Sequence, residues 1–393
     1  VGKTTTAAAT ALCAARRGQR ALVVSAAAAR GPGGDGTGGA EGLGSVLQRR
    51  LSSRATRVAT RLDAVEIDTR GELKRHWSRA HSFFASLFRA EGIDEIVAEE
   101  LALLPGAEEL ATLLAVREHA ERGSYDLVVV DCTPADAALR LLTFPRMSRG
   151  APRFLLHVQR AIATAIGPLA RGVLSAPLPE ARVFRDIDTL FHRAFHALYD
   201  LLVSPETTVR LVLTPDASSI AEARRAHTDL CLFSLGCDAV VLNHLYPPAA
   251  AREPFFRAWW SARGEHEAEV AELFAPLPVL RGLLQEQAIS GLEPLGRFAE
   301  GLFEGREPAA TLSEGPRVRF RSADTGFIAE IPLPHAREAK VGLIDGEVLV
   351  THEGARRRVR LPRSLASLPL EGADYRDNTI VLRFREDRGA LCM

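Results

Sequence analysis

The chain has 393 residues, 47% hydrophobic and 25% charged, enough for two or three domains with a sizeable core, which excludes a disordered or fibrous protein. Lys plus Arg and Asp plus Glu each number 49, so the formal net charge is zero and no basic excess exists to neutralise a phosphate backbone; no nucleic-acid partner is expected. Only three of those 49 basic residues are lysine, Lys3, Lys74 and Lys340, so a lysine marks a position that arginine does not fill. The chain begins at Val1, and its methionines are Met147 and Met393, so further residues are expected upstream. Five scattered cysteines with no CxxC pair point to a reducing, cytoplasmic setting and against a disulfide framework or a ready zinc site. The most apolar stretch, Ala161 to Pro179, is broken by Pro168, Arg171 and Pro177 and reads as helix and loop over a groove rather than a membrane span.

At the amino end, Val1-Gly2-Lys3-Thr4-Thr5-Thr6 opens an Ala-rich helical pattern, Ala7 to Arg16, followed by a strand, Ala21 to Ser25. Gly-Lys-Thr at the start of a helix is the second half of a phosphate-binding loop. There Gly2 lets the backbone approach phosphates, Lys3 reaches β- and γ-phosphate oxygens, Thr4 offers a hydroxyl to Mg²⁺, and Thr5 can bond the α-phosphate. The alternative is a plain helix N-terminus with capping threonines. The scarcity of lysine favours the phosphate reading, because one of the three lies where such a loop requires it.

Further along, β-branched runs alternate with helical patterns, the signature of a mostly parallel sheet flanked by helices. Strands are expected at Asp126 to Asp131, Val209 to Thr214 and Ala239 to Asn243. Leu127 to Val130 reads as a fully buried strand whose carboxyl end presents Asp131, and open α/β sheets bind ligands at that edge. Helical stretches run from about Glu72 to Ala120 and from about Phe154 to Leu202. Their stripes, Phe83, Phe84, Leu87 and Phe88, then Phe191, Phe195, Leu198 and Leu202, fit either core packing or a groove for an apolar client. Cys231 and Cys237 read as buried structural thiols, and no metal is assigned to His76, His81, His192 or His196.

Gly305, Pro308, Gly315 and Pro316 mark a linker over residues 306–316. Beyond it, residues 317–393 read as β: Arg317 to Arg321, Gly326 to Leu333, Glu347 to His352, Arg356 to Leu361 and Thr379 to Arg385, with an Asp345-Gly346 turn. Alternation in Thr379 to Arg385 suggests an antiparallel sandwich.

Taken together, the GKTT run, Leu62 to Asp68 (LDAVEID), Leu104 to Leu110 (LPGAEEL), Tyr125 to Asp131 (YDLVVVD), Leu139 to Leu142 and Ala239 to Leu245 (AVVLNHL) make residues 1–305 resemble the ArsA family of ATPases. That family includes the arsenite-pump subunit and the targeting factor for tail-anchored membrane proteins. The carboxyl end, in GFIAEIPLP and GADYRDNTIVLRF, resembles the α-crystallin-like small-heat-shock fold that some members append. The resemblance implies a P-loop NTPase with a helical insertion, an ATP and Mg²⁺ requirement, and a dimer. It makes Lys3 the catalytic lysine, Gly2 to Thr5 the phosphate cradle, Thr4 and Asp131 the Mg²⁺ residues, and Asn243 the reader of adenine. Asn243 could also simply end a strand in a turn. Pro215-Asp216 falls where the family has another base-side loop.

Two switch segments depart from the family pattern. After Ser25, Ala26 to Ala29 and a Gly-rich insert reaching Gly42 replace the run whose Asp orients the attacking water, and Asp35 within that insert is unpositioned. In the second switch, Asp136 replaces the glycine that senses γ-phosphate, which is repulsive unless metal or Arg140 screens it. The leading expectation is an ATPase that couples nucleotide binding and hydrolysis to conformational change for an anion or an apolar, membrane-protein client. The other is a weakly hydrolysing, nucleotide-binding regulatory subunit paired with a competent paralogue.

Overall fold

A computed structural model describes residues 1–25, 42–68, 71–72, 107–121, 123–132, 195–314, 318–323, 326–344, 346–366 and 368–385. Residues 26–41 of the first switch segment and 133–138 of the second, the stripe residues Phe83, Phe84, Leu87, Phe88 and Phe191, and His76, His81 and His192 lie outside them. The chain forms two compact units, one of residues 2–202 and 288–309, the other of residues 203–287 and 310–393 together with Val1.

The first unit is built on a four-stranded sheet in the order β2-β3-β1-β4, with β1 Ala21–Ser25, β2 Thr56–Ala59, β3 Leu62–Glu66 and β4 Leu127–Asp131. Strand β1 runs parallel to β3 and β4 in matched register, so Ser25 stands beside Glu66 on one side and Asp131 on the other. Strand β2 is antiparallel to β3. Central β1 is buried at every position, as its uninterrupted apolar run predicts. Strand β4 corrects an expectation: Leu127 to Val130 are only half-buried and Asp131 alone is buried. Among the described residues, β4 is the last strand of this sheet, paired on one side with β1.

Helix α1, Lys3–Arg16, has its residues from Thr6 to Ala15 buried. Alanine is both the best helix former and the smallest side chain that keeps a Cβ, so α1 approaches the sheet closely. Short α2, Leu43–Leu47, α3, Ala107–Glu121, and α4, Phe195–Val203, follow in the chain. In α4, Leu198 and Leu202 are buried, in line with the core-packing alternative. Helix α7, Leu292–Phe303, buries Leu295, Phe298, Ala299, Leu302 and Phe303 as an i, i+3, i+4, i+7 stripe and packs on α1. Arg16 crosses α7 at Gly296 and bonds the Leu292 carbonyl and Glu300, each at 3.3 Å.

The second unit opens with a parallel sheet, β5 Val209–Leu213, β6 Cys237–Leu245 and β7 Val279–Leu283, accompanied by α5 Ala217–Leu232 and α6 Arg257–Leu273. Asp216 caps α5, its carboxylate accepting from Ser219 N at 2.9 Å and Thr214 Oγ1 at 2.6 Å. The rest of the unit is the expected antiparallel sandwich. One sheet has the order β13-β14-β9-β8, from β8 Arg319–Ala323, β9 Gly326–Pro332, β13 Leu370–Arg376 and β14 Thr379–Arg385. The other has the order β10-β11-β12, from β10 Lys340–Ile344, β11 Glu347–His352 and β12 Ala355–Arg360. Helix α8, Arg363–Ala366, follows β12.

The sandwich core does not close on itself. Ile331, Val348, Val350, Leu382 and Phe384 share one apolar cluster with Cys231 and Leu232 at the end of α5. Both Cys231 and Cys237 are buried free thiols, as expected, and burial pushes the Cys231 thiol up to about 12. Three side chains make polar contacts at the same junction. Buried Arg357 of β12 donates to the Cys231 carbonyl at 2.9 Å, Thr228 Oγ1 donates to the Pro334 carbonyl at 2.8 Å, and Tyr375 Oη holds the turn at Leu333 O and Ala336 N. Asp238, fully buried, is matched by Arg210 at 3.1 Å and by Leu312 N at 3.2 Å, while Arg210 reaches Ala310 O at 3.0 Å. A buried charge pair is tolerable only with such extra bonds.

His227 of α5 and His335 of the turn after β9 meet edge to face beside Phe274, with the two imidazole centroids 6.0 Å apart. Burial pushes both imidazoles down to about 4, helped by His335 acting on His227 and by Arg224 acting on His335. The unfolded chain therefore takes up these protons near pH 6.5, well before the folded chain does, and stability falls as pH drops from about 6.5 toward 4. Thermal unfolding should show Tm declining through that window, with the decline smaller in His227→Leu; equal slopes in both proteins would refute the assignment.

Candidate functional site

The amino terminus of α1 and the carboxyl end of β4 meet in the first unit. Gly2, the residue before α1, has φ 85° and ψ 11°, the left-handed region that a side chain disfavours, and its carbonyl accepts the first helical bond from Thr6 N at 2.9 Å. Lys3, Thr4 and Thr5 follow on the first turn, all half-buried. Free N–H groups and the positive end of the helix dipole favour an anion there.

Asp131 is 6% exposed. Burial pushes its carboxyl up to about 6, against the opposing pull of a hydrogen bond from Thr4 and of the Lys3 charge. Its Oδ1 is buried without a hydrogen-bond partner. A desolvated carboxylate with one oxygen unmatched, bonded to a hydroxyl and near an ammonium, is a donor set suited to a hard, oxygen-seeking divalent cation. The residues therefore fit Mg²⁺: Thr4 and Asp131 would hold it, directly or through water. Thr6, absent from the expected set, carries a second buried and unmatched oxygen at the same helix end. A threonine run hides that distinction, because periodicity alone does not tell which hydroxyl is left unpaired.

Asn243 belongs to the second unit. It is 3% exposed, near the carboxyl end of β6, and is followed by His244 at φ 57°. Gly2, Lys3, Thr4, Thr5 and Asp131 thus stand in one unit and Asn243 in the other. Asp35, Asp136 and Arg140 lie outside the described residues.

Ionised Asp131 is an electrostatic burden on the ligand-free fold, on the order of 2–3 kcal/mol at pH 7. The folded carboxyl holds its proton up to about pH 6 and the unfolded one only to about 3.8, so this burden grows as pH rises through that interval. Asp131→Asn should raise the Tm of ligand-free protein at pH 7.5, with the gain fading as pH falls from 6 toward 4, while abolishing Mg²⁺-dependent nucleotide binding. A lower Tm at pH 7.5 would contradict the assignment.

Comparison with known proteins gives the family. The anion-transporting ATPase family matches residues 1–304, and the HSP20-like domain found in ArsA matches residues 324–384. A putative arsenical pump-driving ATPase of Aquifex aeolicus is 26% identical over 97% of this chain and 96% of its own length. An uncharacterised protein of Streptomyces coelicolor is 32% identical over 98% and 95%, and a protein of Mycobacterium tuberculosis is 30% identical over 98% and 93%. With a parallel-sheet body carrying the GKTT helix and an antiparallel sandwich after it, the chain belongs to the anion-transporting ATPase family, in the form that carries an HSP20-like domain.

Proposed function

We propose that the chain binds ATP with Mg²⁺ at the start of α1 and uses nucleotide binding and hydrolysis to change conformation for an anion or an apolar client. The observation that carries this reading is the buried, unmatched oxygen of Asp131 beside Thr4 and Lys3, an arrangement that is unfavourable until a cation and phosphates complete it. Gly2, Lys3, Thr4 and Thr5 take the phosphates, Lys3 acting on the charge that develops at the γ-phosphate; Thr4 and Asp131 hold Mg²⁺; Asn243 reads adenine. Bound Mg²⁺ would supply charge neutralisation on the phosphate oxygens. We place the active state as a dimer, because the sequence contains a single phosphate-binding loop. The segments are an ATPase body of residues 1–305, a linker of residues 306–316 and a sandwich of residues 317–393. A cytoplasmic location is supported by Cys13, Cys132, Cys231 and Cys237 being free thiols. Among the described residues, no helix is long and apolar enough to cross a membrane.

A second reading is favoured by Ala26 to Ala29 and Asp136, which replace the water-orienting and phosphate-sensing residues of the family pattern. On it, the chain binds nucleotide but turns it over slowly, pairing with a paralogue that supplies the missing groups.

Nucleotide titration of the full-length protein separates these outcomes. Lys3→Ala should weaken Mg²⁺·ATP binding by at least about tenfold, the effect of losing one charge-assisted contact of roughly 1.5–3 kcal/mol. Equal binding by both proteins, or none by either, would sink the ATP reading. Phosphate release at a rate typical of a competent family member would eliminate the regulatory one.

A further inference from the structure

Strand β6 carries an extra residue where Asn243 lies. Leu242 pairs with Arg281 and Leu245 with Leu283, so two residues of β6, Asn243 and His244, stand opposite a single residue of β7, Gly282. Such bulges are rare between parallel strands and re-aim side chains, often beside functional sites. His244 absorbs the extra residue by adopting φ 57°.

Gly282 is buried and has no φ that requires glycine; its significance is spatial. A Cβ at this position would stand 2.5 Å from Asn243 Oδ1, 3.3 Å from its Cγ and 3.3 Å from its Cα. The first distance is far inside van der Waals contact, and the last is to backbone that cannot swing aside. Any side chain at position 282 would therefore displace the Asn243 amide. The amide, only 3% exposed, occupies a seat that exists because β7 offers no side chain there. An isolated glycine inside a strand pattern marks this kind of close approach.

We propose that Gly282 is a positioning residue for base recognition: opposite the β6 bulge, its missing side chain fixes where the Asn243 amide lies and so sets the preference for adenine over other bases. The proposal rests on Asn243 being the base reader. A hydrogen-bonding group selects between bases only when held in place, because an amide free to turn can offer either its oxygen or its nitrogen to the wrong partner.

The test measures binding of ATP, GTP and inorganic tripolyphosphate to the full-length protein and to Gly282→Ala, Asn243→Ala and the double variant. Gly282→Ala should weaken ATP by about two- to tenfold, the range for one misplaced neutral hydrogen bond, and reduce the ATP-to-GTP preference, while tripolyphosphate binds as before. The double variant should be no worse than Asn243→Ala, since the two changes act through one group. If Asn243→Ala leaves the ATP-to-GTP ratio intact, the base-reading role itself is wrong. If Asn243→Ala changes the ratio and Gly282→Ala does not, the role of Gly282 is refuted alone. Equal loss of ATP and tripolyphosphate in Gly282→Ala would mark a merely structural glycine and also refute it. Should Gly282→Ala fail to fold, the double variant, relieved of the 2.5 Å contact with Oδ1 and keeping only the 3.3 Å one with the Asn243 Cα, should fold and bind like Asn243→Ala; its failure to fold would overturn the proposal.

Discussion

Helix α1 stands where it does because its inward residues are small. Ala8, Ala9, Ala11 and Ala14 are wholly buried, and larger side chains would hold the helix away from β1 and β4. That close approach brings the first turn of α1 within hydrogen-bonding reach of Asp131, and it leaves room for α7 to lie across the same helix. The chemistry of the amino end is thus a consequence of packing. Thr4 meets the β4 carboxylate because the buried side chains of the helix behind it are mostly alanine.

The same closeness desolvates Asp131. A carboxylate at a strand end in water would ionise readily, whereas this one resists ionisation and keeps an oxygen unmatched. Stability and ligand affinity therefore pull in opposite directions at this residue. The ligand-free fold would be better served by a neutral group, and a cation-bound one by the charge. Proteins carry such unfavourable groups where a ligand completes them.

Much of this was legible in the sequence, and unevenly so. Strands β1, β11 and β14 have the bounds their apolar runs suggest, because each is a regular run with a buried face. Strand β7 was not anticipated: Val279 to Leu283 includes Arg281, exposed and bonded to Glu267 at 2.7 Å, and Gly282, which lies against Asn243 across the sheet. Strand β13 reads as polar, Leu-Glu-Gly-Ala-Asp-Tyr-Arg, because it is an edge strand held by β14 on one side. For the candidate site, residue types at short spacing announced Lys3 and Thr4, and the end of a β-branched run announced Asp131. The burial of that carboxylate, the unmatched Thr6 oxygen and the seat at Gly282 depend on residues distant in sequence, which no local pattern encodes.

The junction between α5 and the sandwich has a consequence in the order of synthesis. Cys231 and Leu232 leave the ribosome well before Leu382 and Phe384, the residues that complete their shared core. Roughly 150 residues separate them, so at about 5–20 residues per second the end of α5 waits about eight to thirty seconds without its full apolar cover. The parallel sheet of the second unit can form during that interval, yet the end of α5 cannot finish burying until the carboxyl-terminal strands arrive. The sandwich is thereby a late-arriving part of the second unit's own interior.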